Sequence, residues 1–168
     1  MTTRICSFAP VARPDARVLV LGSMPGKRSL EQGEYYAHPQ NAFWKIMATL
    51  TGAPAVAPYP QRLESLQAAG IALWDVLASC ERHGSLDADI SAESVNDFSL
   101  FFCEHAGIAR VFFNGAKAAQ SFHKFVLGRQ DLPPLIYTRL PSTSPAHAGL
   151  DFAAKLAAWR VIMDSGPV

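Results

Sequence analysis

No two cysteines in this chain are spaced as CxxC. The three present, Cys6, Cys80 and Cys103, are too few and too far apart for a four-cysteine zinc or iron–sulfur site. The five histidines show neither HxH nor HExxH spacing, so no metal set is readable. Both GxGxxG and GxxxxGKS/T are missing, which removes the usual phosphate cradles, and the GxSxG elbow is missing too. Charge is sparse: 17% of residues are charged and the formal net charge is +1. A basic nucleic-acid coat is thereby excluded, and any nucleic-acid binding has to come from a local patch and a pocket. No apolar run approaches the ~20 residues that span a bilayer. The first residues, MTTRICSFAPVARPDAR, lack a secretory core. With an odd cysteine count, this points to a reducing, cytoplasmic compartment.

What is present suits a packed globule. Hydrophobic residues make up 49% of 168, enough for one core, and residues 1–168 read as a single domain. Residues 1–16 read as an extended lead-in broken by Pro10 and Pro14. Apolar runs at 17–22 and 71–77 read as buried strands, the first on both faces, and 110–113 and 134–139 as a third and a fourth strand. Between them, helical spacing predicts helices near 41–51, 60–69, 96–106, 116–127 and 150–163, most closed by a glycine. The last carries Phe152, Leu156, Trp159 and Met163 on its expected inner face, with Ser165, Gly166 and Pro167 ending it. Residues 23–40 read as a long loop and 78–93 as a polar segment. This order predicts an α/β fold, a four-stranded parallel sheet with helices on both faces.

Ligands of such sheets bind beyond the carboxyl ends of the strands. Four segments gather there: Gly22–Trp44, Asp75–Gly84, Asn114–Lys117 and Leu140–His147. The first is the richest. Gly22-Ser23-Met24-Pro25-Gly26 forces a sharp corner after a buried strand, and Tyr35, Tyr36, His38, Asn41, Phe43 and Trp44 follow. Asn41 and Asn114 offer donors and acceptors that do not titrate. Tyr36, Phe43 and Trp44 offer flat apolar faces, and Lys27, Arg28, Lys45, Lys117 and Arg139 offer scattered positive charge. Such a rim suits a planar heterocycle stacked on a ring and read on its edge, with a phosphate chain across the mouth. Each residue also has an ordinary use. Asn41 suits a helix N-cap, Asn114-Gly115 a turn, and Asp75 an ion pair with Arg82. His38 suits a loop hydrogen bond or a phosphate contact. Ser142, Ser144 and His147 allow a nucleophile-and-base reading, although serines in such turns ordinarily bond the backbone.

Four stretches, VLVLGSMPG, YYAHPQNAFWKIM, VFFNGAKAAQSF and LPSTSPAHA, cover nearly the whole chain in order. Together they resemble the uracil-DNA glycosylase superfamily, and within it the hypoxanthine-DNA glycosylase branch. The resemblance implies a uracil-DNA glycosylase-like three-layer α/β/α sandwich. It implies a monofunctional DNA glycosylase that removes a deaminated base, hypoxanthine in deoxyinosine first and uracil second, and leaves an abasic site. Gly22, Ser23 and Met24 fall in the first motif. There the mismatch-specific uracil branch has a water-positioning Asn where this chain has Met24. The resemblance transfers the catalytic role to Asn41, matches Phe43 to the ring that stacks on the flipped base, and puts Asp75 where some relatives read the base. Asn114 joins this base-binding set. His38, Lys117, Ser142, Thr143, Ser144 and His147 are the expected DNA contacts, the last four on the loop that enters the minor groove. The expected partner is DNA containing a deaminated base. No metal, cofactor or membrane is expected, and the chain is expected to act as a monomer. Met24 also supports the alternative of a non-catalytic module that binds damaged or mismatched DNA.

Overall fold

A computed structural model describes residues 3–164. Four strands form the central sheet: β2 (Val18–Gly22), β3 (Ile71–Asp75), β6 (Arg110–Asn114) and β7 (Ile136–Leu140). Their order is β3-β2-β6-β7 and every pairing is parallel. A second sheet, of β1 (Thr3–Cys6), β4 (Leu77–Arg82) and β5 (Ser91–Val95), is antiparallel in the order β1-β4-β5. The strand content is therefore mixed, where the sequence suggests only parallel strands. The expected strand 71–77 is in fact two. β3 stops at Asp75, where the Val76 and Leu77 amides donate to the Gly22 and Ser23 carbonyls, and the chain turns into β4. The small strands carry few large apolar residues, so no period of two marks them.

Alternation along the central strands splits the core in two. Leu19, Leu21, Ala72, Trp74, Val111 and Phe113 point into one cluster, which packs on α4 (Phe98–Glu104), α5 (Ala116–Phe125) and the small sheet. Val18, Val20, Ile71, Leu73 and Phe112 point into the other. That cluster packs on α2 (Phe43–Thr51), α3 (Tyr59–Ala68) and α6 (Phe152–Trp159). Helices thus cover both faces.

Three helical details differ from expectation. The loop 23–40 contains α1 (Lys27–Gln32), which follows Pro25 and stops at Gly33 in the left-handed region, φ 68°. It buries only Ser29, so it lacks the apolar stripe that would announce it. Helix α2 begins at Phe43 rather than Asn41. Asn41 still caps it in part, its Oδ1 accepting the Phe43 N–H at 2.9 Å. The last helix is shorter than 150–163 and is rotated. Asp151 caps α6 by accepting the Ala154 N–H, and Arg160–Met163 continue as a 3-10 turn. Trp159, Lys155 and Ile162 are buried, whereas Phe152 and Met163 are about 40% exposed. Ser165, Gly166 and Pro167 lie outside the described residues.

Phe112 is buried at the centre of the sheet. Phe112→Ala is expected to lower unfolding free energy by roughly 3–5 kcal/mol, measured by urea denaturation.

Candidate active site

A cavity of about 850 Å³ opens beyond the carboxyl ends of the central strands. Residues 22–29, 85–88, 114–117 and 142–147 line it, with Tyr36, His38, Asn41 and Asp75 between them. The floor is set by register. β2 and β3 run parallel with Gly22 opposite Asp75. A Cβ on Gly22 would stand 2.5 Å from Asp75 Oδ1 and 2.9 Å from Tyr36 Oη. Only glycine allows both groups to close on that corner.

Asp75 is fully enclosed, and its Oδ2 has no hydrogen-bond partner. Burial, and then the Asp87 carboxylate, push its acid up to about 7 against the opposing pull of Arg82. Arg82 does not pair with it. The buried guanidinium donates from Nη2 to the Pro25 carbonyl at 2.5 Å and from Nε to Gly84, bracing the Gly22–Gly26 turn from beneath. Tyr36 Oη is likewise enclosed and makes no hydrogen bond of full geometry, with the Asn114 amide acting on it from nearby. Burial and the Asp75 charge push its phenol up, so it stays an O–H donor. Its backbone sits at φ 54°, in the left-handed region that a tyrosine rarely adopts.

The resemblance assigns base stacking to Phe43, and the structure corrects that assignment. Phe43 is fully buried and does not line the cavity. Tyr36 covers it, with ring centroids 4.2 Å apart and planes at 31°. Trp44 is also core, its Nε1 donating to the Tyr35 carbonyl at 2.8 Å. Of the three flat faces legible in the sequence, Tyr36 is the one at the cavity wall. Its neighbour Tyr35 also touches the cavity but is buried among core rings, its hydroxyl donating to the Ala9 carbonyl.

Asn41 lines the cavity and is half-buried. Its bond to the Phe43 N–H uses one Oδ1 lone pair and fixes the plane of the amide, leaving the second lone pair and Nδ2 for a ligand. Met24 contributes to the cavity lining, but it packs in the core at 7% exposure. Ser23 is buried and its hydroxyl donates to Asp87 Oδ1 at 2.6 Å. The polar segment before β5 thereby folds over the glycine corner, a closure that no apolar signal announces. Asn114 lines the wall as a strut: its Nδ2 donates to Thr143 Oγ1 and its Oδ1 accepts the Thr143 N–H, both at 2.9 Å. The two bonds fix the plane of the amide and leave one Nδ2 N–H and one Oδ1 lone pair.

The outer contacts divide in the same way. Thr143 is 1% exposed and holds Asn114 rather than facing outward. Ser142 and Ser144 accept the Ser144 and Ala146 N–H groups at 3.2 Å, the ordinary turn use of such hydroxyls. Lys117 is ion-paired with Glu93. His38 and His147 are exposed at the mouth, and the His38 Nδ1 accepts the Gln40 N–H. Lys27 and Arg28, on α1, are exposed beside them. The loop 141–147 is tied down from behind: Trp159 Nε1 donates to Pro141 O at 2.9 Å and Lys155 Nζ to Ser144 O. Among the described residues no cluster of His, Cys, Asp or Glu could hold a metal, and no helix is long and apolar enough to cross a membrane.

The raised acid of Asp75 has a thermodynamic signature. Between roughly pH 4 and 7 the folded protein keeps a proton that the unfolded chain has released. Stability therefore falls as pH rises through that window and levels off above it. Asp75→Asn cannot ionise, so at pH 8 its melting temperature is expected to exceed that of the wild type, the gap closing near pH 4. Equal melting temperatures at both values would show that the carboxyl is not held neutral.

Residues 9–162 match the family model of the uracil DNA glycosylase superfamily. A protein described as hypoxanthine DNA glycosylase in Methanosarcina barkeri is 36% identical over 114 residues, covering 67% of this chain and 72% of its own. Another of the same description in Methanosarcina acetivorans is 33% identical over the same shares. A solution NMR structure from Methanosarcina acetivorans, described as a candidate uracil DNA glycosylase, superposes with a TM-score of 0.80 at 28% identity. The match covers 96% of this chain and all of that one. The glycine corner, the enclosed polar floor and the cavity at the strand ends thus stand in a chain that belongs to the uracil-DNA glycosylase superfamily, in its hypoxanthine-DNA glycosylase branch.

Proposed function

We propose that this protein is a monofunctional DNA glycosylase of base-excision repair. It hydrolyses the N-glycosidic bond of a deaminated base flipped out of DNA, hypoxanthine in deoxyinosine foremost and uracil more weakly. The observation that carries this reading is the carboxamide of Asn41. It is half-buried in the cavity wall and oriented by the Phe43 N–H, in a cavity that also holds the exposed part of the Tyr36 ring. Family membership supports the reaction class, and the relatives' description supports the base.

The chemistry follows from the groups present. A deaminated base pairs poorly, so it is cheaper to unstack and turn into the cavity. Tyr36 stacks on it there. As the bond to C1′ lengthens, positive charge gathers on the sugar and electrons move onto the base. Asn41 is too weak a base to remove a proton early. It acts by position, its free Oδ1 lone pair accepting an O–H of water and aiming the oxygen at C1′. Lys27, Arg28, His38 and His147 at the mouth meet the phosphates, and the loop 141–147 enters the groove from its braced base.

Duplexes carrying one deoxyinosine or one deoxyuridine, incubated with the protein and then treated with hot alkali, are expected to break at the inosine and less at the uracil. No scission with either base, together with tight binding, would favour the non-catalytic module instead. Asn41→Ala is expected to slow single-turnover cleavage by about 10²–10³. The lost cap bond costs only about 1 kcal/mol, so the melting curve should move little. A near-normal rate would remove Asn41 from the mechanism.

A further inference from the structure

Among the described residues three buried side-chain atoms lack a hydrogen-bond partner, Asp75 Oδ2, Tyr36 Oη and Arg82 Nη1, and the first two belong to residues that line the cavity. Their neighbours are mostly engaged with other groups, although Arg82 keeps Nη1 free and the Asn114 amide also acts on the Tyr36 phenol. Ser23 is spent on Asp87, Asn114 on Thr143 and Arg82 on the Pro25 and Gly84 carbonyls. Enclosed polar atoms left unpaired cost free energy, and at a site they mark where a ligand atom belongs. Asp75 Oδ1 and Tyr36 Oη both lie within 3 Å of one point, the place a Gly22 Cβ would occupy, and Oδ2 is the other oxygen of that same carboxyl. One edge of a planar ligand can meet both. Of the two, only the carboxyl can release a proton near neutral pH.

We propose that Asp75, in its neutral form, is the acid that protonates the departing purine, while the Tyr36 hydroxyl holds a neighbouring acceptor on the same base. This rests on the glycosylase reading above and adds the fate of the leaving group. The C1′–N9 bond breaks and its electron pair passes into the base. The Asp75 Oδ2–H proton goes to a base lone pair, N7 being the most basic on a 6-oxopurine nucleoside. Water adds through oxygen to C1′ and gives its other proton to solvent. Solvent then reprotonates the carboxylate, so atoms and charge balance over the cycle. The base departs neutral rather than as an anion.

The surroundings keep the acid loaded. Asp87 faces it from the turn before β5 and favours the neutral form, and Tyr35 and Tyr36 face it from the segment before α2. Arg82 on β4 opposes them, and burial is the larger influence. The acid titrates at about 7, so it is loaded below that pH and spent above it. The device also selects a substrate class. Uracil has no imidazole lone pair, so its release gains less from Asp75 than that of a purine.

The test is single-turnover cleavage of a deoxyinosine duplex from pH 5.5 to 9. The wild-type rate is expected to be level below about 7 and to fall about tenfold per unit above it. Asp75→Asn keeps a donor and an acceptor but no transferable proton. It is expected to be slower by about 10²–10⁴ at pH 6, with no such fall, so the two curves converge toward pH 9. A duplex with 7-deaza-deoxyinosine should slow the wild type strongly and be slowed no further by the variant. Retained binding of an abasic duplex by Asp75→Asn shows that it is folded. A level wild-type profile, a variant as fast as wild type at pH 6, or the same descending limb in the variant would each overturn the acid assignment and leave the glycosylase reading standing. No abasic product from the wild type at any pH would overturn both.

Discussion

A single parallel pairing governs the site. Because β2 and β3 run in register, Gly22 stands opposite Asp75 at the last rung of the ladder. The glycine has no side chain, so the carboxyl and the Tyr36 hydroxyl close over its Cα. Everything polar in the cavity is arranged around that bare corner. Arg82 and Asp87 hold it from the side of the small sheet, and Asn41 and Tyr36 face it from the segment that enters α2. An acid placed here is deprived of water and of any ion pair. The price is stability above neutral pH, a common exchange at functional sites.

Much of this was legible in the sequence because three of the four central strands are buried on both faces, whereas the edge strand β7 is largely exposed. Val18–Leu21 and Val111–Phe113 read as unbroken apolar runs, and the polar segments that follow them line the cavity. Asn41 reads both as a cap and as a site amide; it stands one residue before the N-cap Ala42, accepts the Phe43 N–H and lines the cavity. Elements without an apolar signature were not legible. β1, β4, β5 and α1 are short and mostly polar; β1 takes its place by pairing with β4, far along the chain, and β5 by folding back on β4. Tertiary pairing of this kind overrides local propensity.

The choice among aromatic rings failed for a related reason. Tyr36, Phe43 and Trp44 are alike as flat apolar groups, and burial decides among them. Phe43 begins a helix whose inner face is core, so its ring is enclosed. Tyr36 is turned toward the cavity by a left-handed backbone that nothing in its side chain announces. Asn114 shows the converse. A conspicuous amide beside the site proves to be a brace, because both of its ends meet Thr143.

That brace, together with the Trp159 indole on the Pro141 carbonyl, ties the 141–147 loop to two remote supports at once. The loop is short of large apolar side chains and does not hold itself. Its stiffness is borrowed from β6 on one side and from the closing helix on the other. Lesions in α6 should therefore loosen the 141–147 loop while leaving the cavity floor in place. On the glycosylase reading proposed above, the last helix would serve the grip on the duplex as much as the core.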